Sequence, residues 1–192
     1  MADLDAYTWF TPLTRNAIAT AAYDKLVVHG GSPGPARKLL GAATPPQLIS
    51  VPVKSHDAAS AMLAGLWLWH DALEESHTIS QSLHSPNGSF WHAILHRREG
   101  DFWNSKYWYA RCRNHPALVD IASRAKPLLA TLTDKPLAAR LARGGWDTDA
   151  FVNWVEEVSA GPGPSDRELA VKLQQVEWQA LFDHCAHEAT GR

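Results

Sequence analysis

The sequence predicts an all-α fold, an irregular helical bundle in which residues 1–192 form one domain. Three observations favour this class: apolar residues recur at helical spacing, residues that begin helices precede these stretches, and no segment shows a convincing strand alternation. The run DKLVV (24–28) is the one strand candidate. A hydrophobic content of 45% is sufficient for a core in a chain of 192 residues.

The first 54 residues are the least regular part of the predicted domain. Pro12 begins a predicted helix that covers Thr14–Val28. The segment His29–Pro35 contains glycines, but no strand precedes it and no Lys-Ser or Lys-Thr pair ends it, so it predicts a turn and not a phosphate-binding loop. A short helix is expected at Ala36–Ala42, and three prolines keep the following chain extended: Pro45, Pro46 and Pro52.

Residues 55–160 form the predicted central helical core. Ser55 or Asp57 caps a long helix that ends near His84, and the turn residues Ser85–Gly88 follow it. The next predicted helices are Ser89–Glu99, Phe102–Arg113 after a break at Gly100-Asp101, Pro116–Thr133, Pro136–Arg143 and Thr148–Ser159.

A linker and one last helix complete the predicted domain. Residues 161–164 read Gly-Pro-Gly-Pro, which is typical of a linker. Ser165 and Glu168 have the spacing of a capping box, and this box opens a C-terminal helix over 165–188.

Charge and cysteine content exclude several classes of partner. The net charge of −2 gives no reason to expect a nucleic acid or an acidic membrane surface as a partner. The longest apolar run, Ala61–Trp69, is too short to span a bilayer, and the N-terminus lacks the pattern of a signal peptide. Cys112 and Cys185 form no disulfide framework, which favours a reducing compartment and a cytoplasmic location. A small-molecule partner fits these features, and a homo-oligomer is left open.

The most informative feature is a set of His, Glu and Gln residues between positions 70 and 99. At about 100° per residue, spacings of four and three place each of two groups on one helix face. The first group lies on the long helix and comprises His70, Glu74, His77, Gln81 and His84. The second lies on the next helix and comprises His92, His96 and Glu99. A tight turn centred on Pro86-Asn87 would pair them as Gln81–His92, His77–His96 and Glu74–Glu99.

These residue types suit a metal site. Glu74-x-x-His77 resembles half of the Glu-x-x-His motif of carboxylate-bridged di-metal bundles, and His92 lies one helical turn from His96. Such ligands suit a divalent transition metal, namely zinc, iron, nickel or manganese. The predicted metal ligands are His77, His92, His96, Glu74 and Glu99.

The same residues also suit chemistry without a metal. His77, His96 and Glu74 are general acid/base candidates because imidazole titrates near neutrality. Four side chains are substrate-binding candidates: Gln81, Arg97, Asn104 and Tyr107. Arg97 and Arg98 are expected to be half ion-paired and half solvated, and the aromatic walls are expected to come from Trp67, Trp91, Trp103 and Tyr107.

Two stretches resemble known sequence families. Residues 89–116 resemble a single tetratricopeptide repeat hairpin, on the following residues: Ala93, Gly100, Asp101, Phe102, Ser105, Tyr109, Cys112 and Pro116, the proline being one position early. No second copy occurs at the usual spacing, so the resemblance implies one helical hairpin whose first helix turns His92 and His96 inward. The segments SHTISQ and FWHAILHRREGDF are similar to a signature of uncharacterised bacterial helical proteins, which implies no particular activity.

Two functions remain open from the sequence. The first is a small-molecule enzyme or binding protein with a His/Glu pocket between two helices, with or without a metal. The second is a helical protein-interaction module in which the same cluster is only a structural polar network or a solvated face. The sequence does not decide whether the protein is an enzyme.

Overall fold

The computed structural model of the chain describes residues 7–20, 23–29, 34–161 and 163–192. Within these ranges the chain forms ten α-helices, one short 3-10 helix and no strand beyond an isolated antiparallel bridge between Phe10 and Ile49. The helices are α1 (Pro12–Ala19), α2 (Gly34–Leu40), the 3-10 helix (Pro45–Leu48), α3 (His56–Trp69), α4 (Leu73–Ser80), α5 (Pro86–Glu99), α6 (Phe102–Tyr109), α7 (Ala117–Thr131), α8 (Lys135–Leu141), α9 (Thr148–Ala160) and α10 (Pro164–Thr190). The predicted all-α class is confirmed. None of the helices in the described ranges combines the length and the apolar character needed to cross a membrane.

Side-chain caps begin six of these helices. In each case a Ser, Thr or Asp side chain accepts a hydrogen bond from the backbone N–H three residues later. The capping residues are Thr11, Ser55, Ser85, Asp101, Asp134 and Asp147. Each such cap contributes about 1 kcal/mol, so short polar residues in the sequence fix where the helices start.

The long helix α10 is the backbone of the core. It packs against α3, α5, α7 and α9. Trp178 lies at its centre, is 1% exposed, and donates its indole N–H to the carbonyl of Gly65 on α3 at 2.8 Å. A Cβ on Gly65 would lie 2.6 Å from Cζ2 of Trp91, so glycine is required there for α3 and α5 to approach each other.

Helix α5 is buried on every side. All twelve residues from Asn87 to Arg98 are buried, although they include two histidines and two arginines. Helices α3, α4, α6 and α10 pack around it. Because buried polar side chains must find partners, this helix carries the polar contacts that define the candidate site.

The first predicted helix is shorter in the structure. Thr14–Val28 was expected to be helical, but α1 ends at Ala19, and positions 21–22 lie outside the described residues. The chain turns at Tyr23, whose φ is 44°. The reason is tertiary: the Tyr23 ring lies 3.9 Å from the guanidinium carbon of Arg98, and Val28 donates its N–H to the Arg98 carbonyl at 2.7 Å. The strand candidate over 24–28 is wrong, because the described residues there form neither strand nor helix.

The predicted long helix over 55–84 is two helices. Ser55 caps α3 as expected, but α3 ends at Trp69 and α4 begins at Leu73. Asp71 interrupts the helix with a φ of 59°, a conformation that Asp tolerates better than most residues. Its carboxylate accepts hydrogen bonds from Arg98 at 2.7 Å and from Lys25 at 2.8 Å. These two ion pairs stabilise a break that helical spacing alone does not indicate.

The remaining boundaries differ by a few residues. Helix α5 begins at Pro86 and not at Ser89, because Ser85 acts as its cap. Ser165 does not cap α10: the helix begins at Pro164 after Gly163, and Ser165 lies inside it. The predicted breaks at 100–101 and 161–164 do separate helices. The predicted turn at 29–35 includes positions 30–33, and the linker includes position 162; both lie outside the described residues.

Candidate metal centre

Three histidines from two helices lie in direct contact. His77 is on α4, and His92 and His96 lie one turn apart on α5. The ring centroids are 4.6 Å apart for His77 and His92, 4.6 Å for His92 and His96, and 5.7 Å for His77 and His96. One ring nitrogen from each lies within 4.8 Å of the other two. We call these three residues the histidine cluster.

His92 is the most deeply constrained member of the cluster. It is 3% exposed and stacks on Trp108 of α6, with 4.1 Å between centroids and 12° between planes. Burial, together with the charges that His96 and His77 would carry, lowers the pKa of His92 to about 3. Its Nδ1 is buried and has no hydrogen-bond partner. A buried nitrogen without a partner costs about 1–3 kcal/mol, and in a neutral imidazole it can bind a metal ion.

His96 is held at both ring nitrogens. Its Nδ1 lies 2.5 Å from Oε1 of Glu99, and its Nε2 lies 3.1 Å from Nδ2 of Asn104 on α6. The carboxylate can only accept, so Nδ1 carries the proton, and Nε2 accepts from the Asn104 amide. This carboxylate–imidazole pair has the arrangement that orients metal-binding histidines in proteins.

The pairing between α4 and α5 differs from the expected register. The connection is Gln81–Ser85 rather than a tight turn at Pro86-Asn87, so α4 is displaced along α5. His77 therefore lies between His92 and His96 and is nearer to His92. Gln81, expected opposite His92, is exposed beyond the end of α4.

Three other members of the first group, His70, Glu74 and His84, lie away from the cluster. Glu74 is exposed on α4, and among the described residues its carboxylate does not lie with the histidine nitrogens as a potential metal ligand. The break at Asp71 rotates His70 away, and its Nε2 bonds the carbonyl of Ala17 at 2.9 Å. His84 is exposed. Of the predicted metal ligands, the structure brings together the three histidines and, through His96, Glu99.

Arg97 does not face the cluster, and the expectation that Arg97 and Arg98 are half solvated is wrong. The Arg97 side chain is 0% exposed and pairs with the equally buried carboxylate of Glu177 on α10. Nε donates to Gln174 at 3.2 Å and NH1 to the Tyr109 hydroxyl at 2.6 Å. Arg98 is also fully buried, against Asp71. Two full charges are tolerated inside the core because both have carboxylate partners.

The aromatic walls are not those expected. Trp67 and Trp91 are buried in the hydrophobic core, while Trp103 and Tyr107 are exposed on α6 by 76% and 47%. The wall against the histidines is Trp108, which the sequence reading did not select. The sequence could have indicated Trp108, because it lies four residues after Asn104 and therefore on the same face of α6 as that predicted site residue.

The sequence also did not predict a second contact between histidines, that of His115 with His184. His115 is 4% exposed, and its ring lies 4.6 Å from that of His184 on α10. Its Nδ1 accepts from the Ala117 N–H at 3.1 Å and its Nε2 lies 2.8 Å from Oδ1 of Asn87. Burial, with the charge that His184 would carry, lowers its pKa to about 3. Both nitrogens of His115 are hydrogen-bonded, so His115 stabilises the fold and offers no free ligand atom.

The histidine cluster can therefore supply three imidazole nitrogens on one side of α5. Three such ligands suit zinc-type ions and leave room for water or a substrate. Glu99 and Asp101 form a further group with His96 whose atoms lie within 4.8 Å of one another, but both carboxylates are exposed. We found no match to this chain among protein-family models, curated proteins or solved structures.

Proposed function

We propose that the histidine cluster binds one divalent transition metal ion and that the protein is a metal-dependent enzyme or binding protein for a small molecule. The observation that carries the proposal is the convergence of His77, His92 and His96 within 4.8 Å, with Nδ1 of His92 buried and without a partner. An ion bound through Nδ1 of His92 would satisfy that nitrogen and offset its cost.

Zinc is the first choice among zinc, iron, nickel and manganese. Three imidazoles form the ligand set of catalytic zinc sites, in which the fourth position holds a water of lowered pKa. Glu99 would orient His96 and increase the basicity of its Nε2. Asn104 donates to that same nitrogen at 3.1 Å, so its amide must turn away when Nε2 binds an ion.

Zinc titration of the chelator-treated protein tests the proposal. We expect one equivalent to bind and to raise the melting temperature, since an ion that binds only the folded state stabilises it. His77→Ala, His92→Ala and His96→Ala should each weaken binding by at least about tenfold. His84→Ala is the matched control, because His84 is exposed and does not belong to the cluster. Equal zinc affinity in the control and in the cluster variants would refute the proposal.

The alternative is a helical protein-interaction module with a purely structural histidine cluster. The exposed rings of Trp103 and Tyr107, stacked at 6.2 Å with 12° between planes, favour a contact surface on α6. In that case the alanine variants of the cluster lose stability in metal-free protein, and zinc adds none.

A cytoplasmic location and the absence of a nucleic-acid partner remain part of the proposal. Cys112 and Cys185 are buried free thiols, which suits a reducing compartment. Burial, with a smaller contribution from Glu177, raises the pKa of the Cys112 thiol to about 12, so Cys112 is not a nucleophile in this proposal. The net charge of −2 gives no reason to expect a phosphate backbone as a partner.

A further inference from the structure

Glu99, the carboxylate on His96, also lines a cavity of about 680 Å³. The cavity lies between the segment before residue 30, the α5–α6 connection, the end of α9 and the first turns of α10. Its size is within the range of small-molecule sites. None of the three clustered histidines lines the cavity, so Glu99 is the residue that connects the cavity with the histidine cluster.

The cavity wall is apolar with charges of both signs. Its apolar side chains are Leu26, Val27, Phe102 and Val171. Its charged side chains are Asp24, Lys25, Glu99, Glu156 and Arg167. A wall of this kind suits a ligand with an apolar body and two charged ends.

Arg167 is the cation that is available to a ligand. Its NH2 donates to two neutral carbonyls, of Val158 at 3.2 Å and of Gly161 at 3.5 Å. No carboxylate among the described residues lies within ion-pair distance of it. Lys25, by contrast, already pairs with Asp71 at 2.8 Å. A guanidinium with free N–H groups at a cavity is suited to a carboxylate.

Glu99 and Glu156 provide the opposite charge. The Glu99 side chain is 36% exposed, and only its Oε1 contacts His96. Glu156 has only a long contact, 3.9 Å, to Lys106. Glu99 at the end of α5 and Glu156 on α9 therefore offer carboxylate oxygens to an ammonium group, and Arg167 on α10 offers a guanidinium.

We propose that this cavity binds a zwitterionic amino carboxylate, with its carboxylate on Arg167, its ammonium group on Glu99 and its short apolar chain against Phe102 and Val171. Binding there also regulates the histidine cluster, a second part that rests on the proposed metal function. An ammonium group on Glu99 draws the carboxylate from Nδ1 of His96 and weakens the orientation of that ligand.

Calorimetric titration of metal-free protein with a length series tests the cavity. The probes are ω-amino acids from 4-aminobutanoate to 8-aminooctanoate, each with the matched alkyl carboxylate and alkylamine. We expect one chain length to bind at least about tenfold more tightly than both of its single-charge analogues. A tenfold change in affinity corresponds to about 1.4 kcal/mol of binding free energy. Arg167→Gln should make the preferred amino acid bind no more tightly than the matched alkylamine, because its carboxylate loses its partner. Glu99→Gln should make it bind no more tightly than the matched alkyl carboxylate, because its ammonium group loses its partner.

Arg143→Gln is the matched control, since Arg143 is exposed at the end of α8 and does not line the cavity. Circular dichroism of each variant checks its fold. No length preference, or the same affinities in Arg167→Gln as in Arg143→Gln, overturns the proposed site.

Zinc linkage tests the regulatory part separately. The preferred probe should weaken zinc binding by about tenfold, and zinc should weaken probe binding by the same factor because coupling is reciprocal. Independent binding of probe and zinc refutes the coupling. If zinc does not bind at all, the metal function fails, while the length series in metal-free protein still decides the cavity.

Discussion

Removing the partner of Arg97 is the most severe single change that we expect in this fold. Arg97 and Glu177 are both 0% exposed, and the carboxylate also accepts from the Tyr109 hydroxyl at 2.8 Å. Glu177→Gln preserves the shape but leaves the guanidinium without a counter-charge. A stranded buried charge costs about 3–5 kcal/mol, against a total stability of roughly 5–15 kcal/mol. For a domain of this size the melting temperature should fall by roughly 6–20 °C.

Replacing both partners should cost less than removing one. The double variant Arg97→Met, Glu177→Leu removes both desolvated charges, and its residual cost of about 1–3 kcal/mol comes from the partners left behind, Tyr109 and Gln174. Urea unfolding followed by tryptophan fluorescence and circular dichroism gives each free energy. Lys172→Gln breaks an exposed pair with Glu168 and serves as the control, with no measurable change expected. If Glu177→Gln resembles this control, or the double variant equals the sum of the singles, the reasoning is refuted.

Three further predictions concern pH, metal affinity and packing. The pKa of His92 is about 3 in the folded protein and near 6.5 in the unfolded chain. The stability that neutral His92 contributes is therefore fully present above pH 6.5 and is lost as the pH falls towards 3. On acidification the urea midpoint should decrease less steeply in His92→Phe than in His84→Ala. Asn104→Asp replaces an amide donor beside His96 with a carboxylate and should tighten zinc binding by about tenfold in competition titrations. Gly65→Ala places a methyl group against Trp91 and should cost about 1–3 kcal/mol in urea unfolding.

Each of these three predictions has a contradicting result. Parallel pH dependence of the two histidine variants would show that His92 titrates alike in folded and unfolded chains. Equal zinc affinity for Asn104→Asp and Asn104→Ala would mean that the carboxylate adds no ligand. An unchanged midpoint for Gly65→Ala would show that α3 and α5 separate without cost.

Local signals in the sequence predicted the helix class and most of the helix starts. Ser55 was an expected cap and does cap α3, and α6 and α9 begin at the predicted Phe102 and Thr148. Ser85, by contrast, was expected in a turn and caps α5. The approach of His77 to His96 also followed from helical spacing and a nearby turn, whereas the closer contact of His77 with His92 did not follow from the expected register. Such features depend on neighbours within a few residues, which the sequence displays directly.

The features that were missed depend on distant parts of the chain. Asp71 breaks a helix because Lys25 and Arg98 reach its carboxylate, and neither lies near it in sequence. Arg97 looked half solvated because its partner, Glu177, is 80 positions away on α10. Polar spacing predicts a surface for a helix such as α5, whereas the partners that let it be buried become visible only in the fold.

The burial of α5 from Asn87 to Arg98 has a consequence for the rate at which an ion bound by the cluster would exchange. His92 and His96 project from a helix without a solvent face, and His77 on the two-turn helix α4 is the partly exposed member of the cluster. An ion bound by the cluster would therefore enter or leave past α4, and its exchange would follow the local opening of that helix. We expect slow loading and release with a steep temperature dependence, so that a chelator removes the metal at a rate that does not rise with chelator concentration.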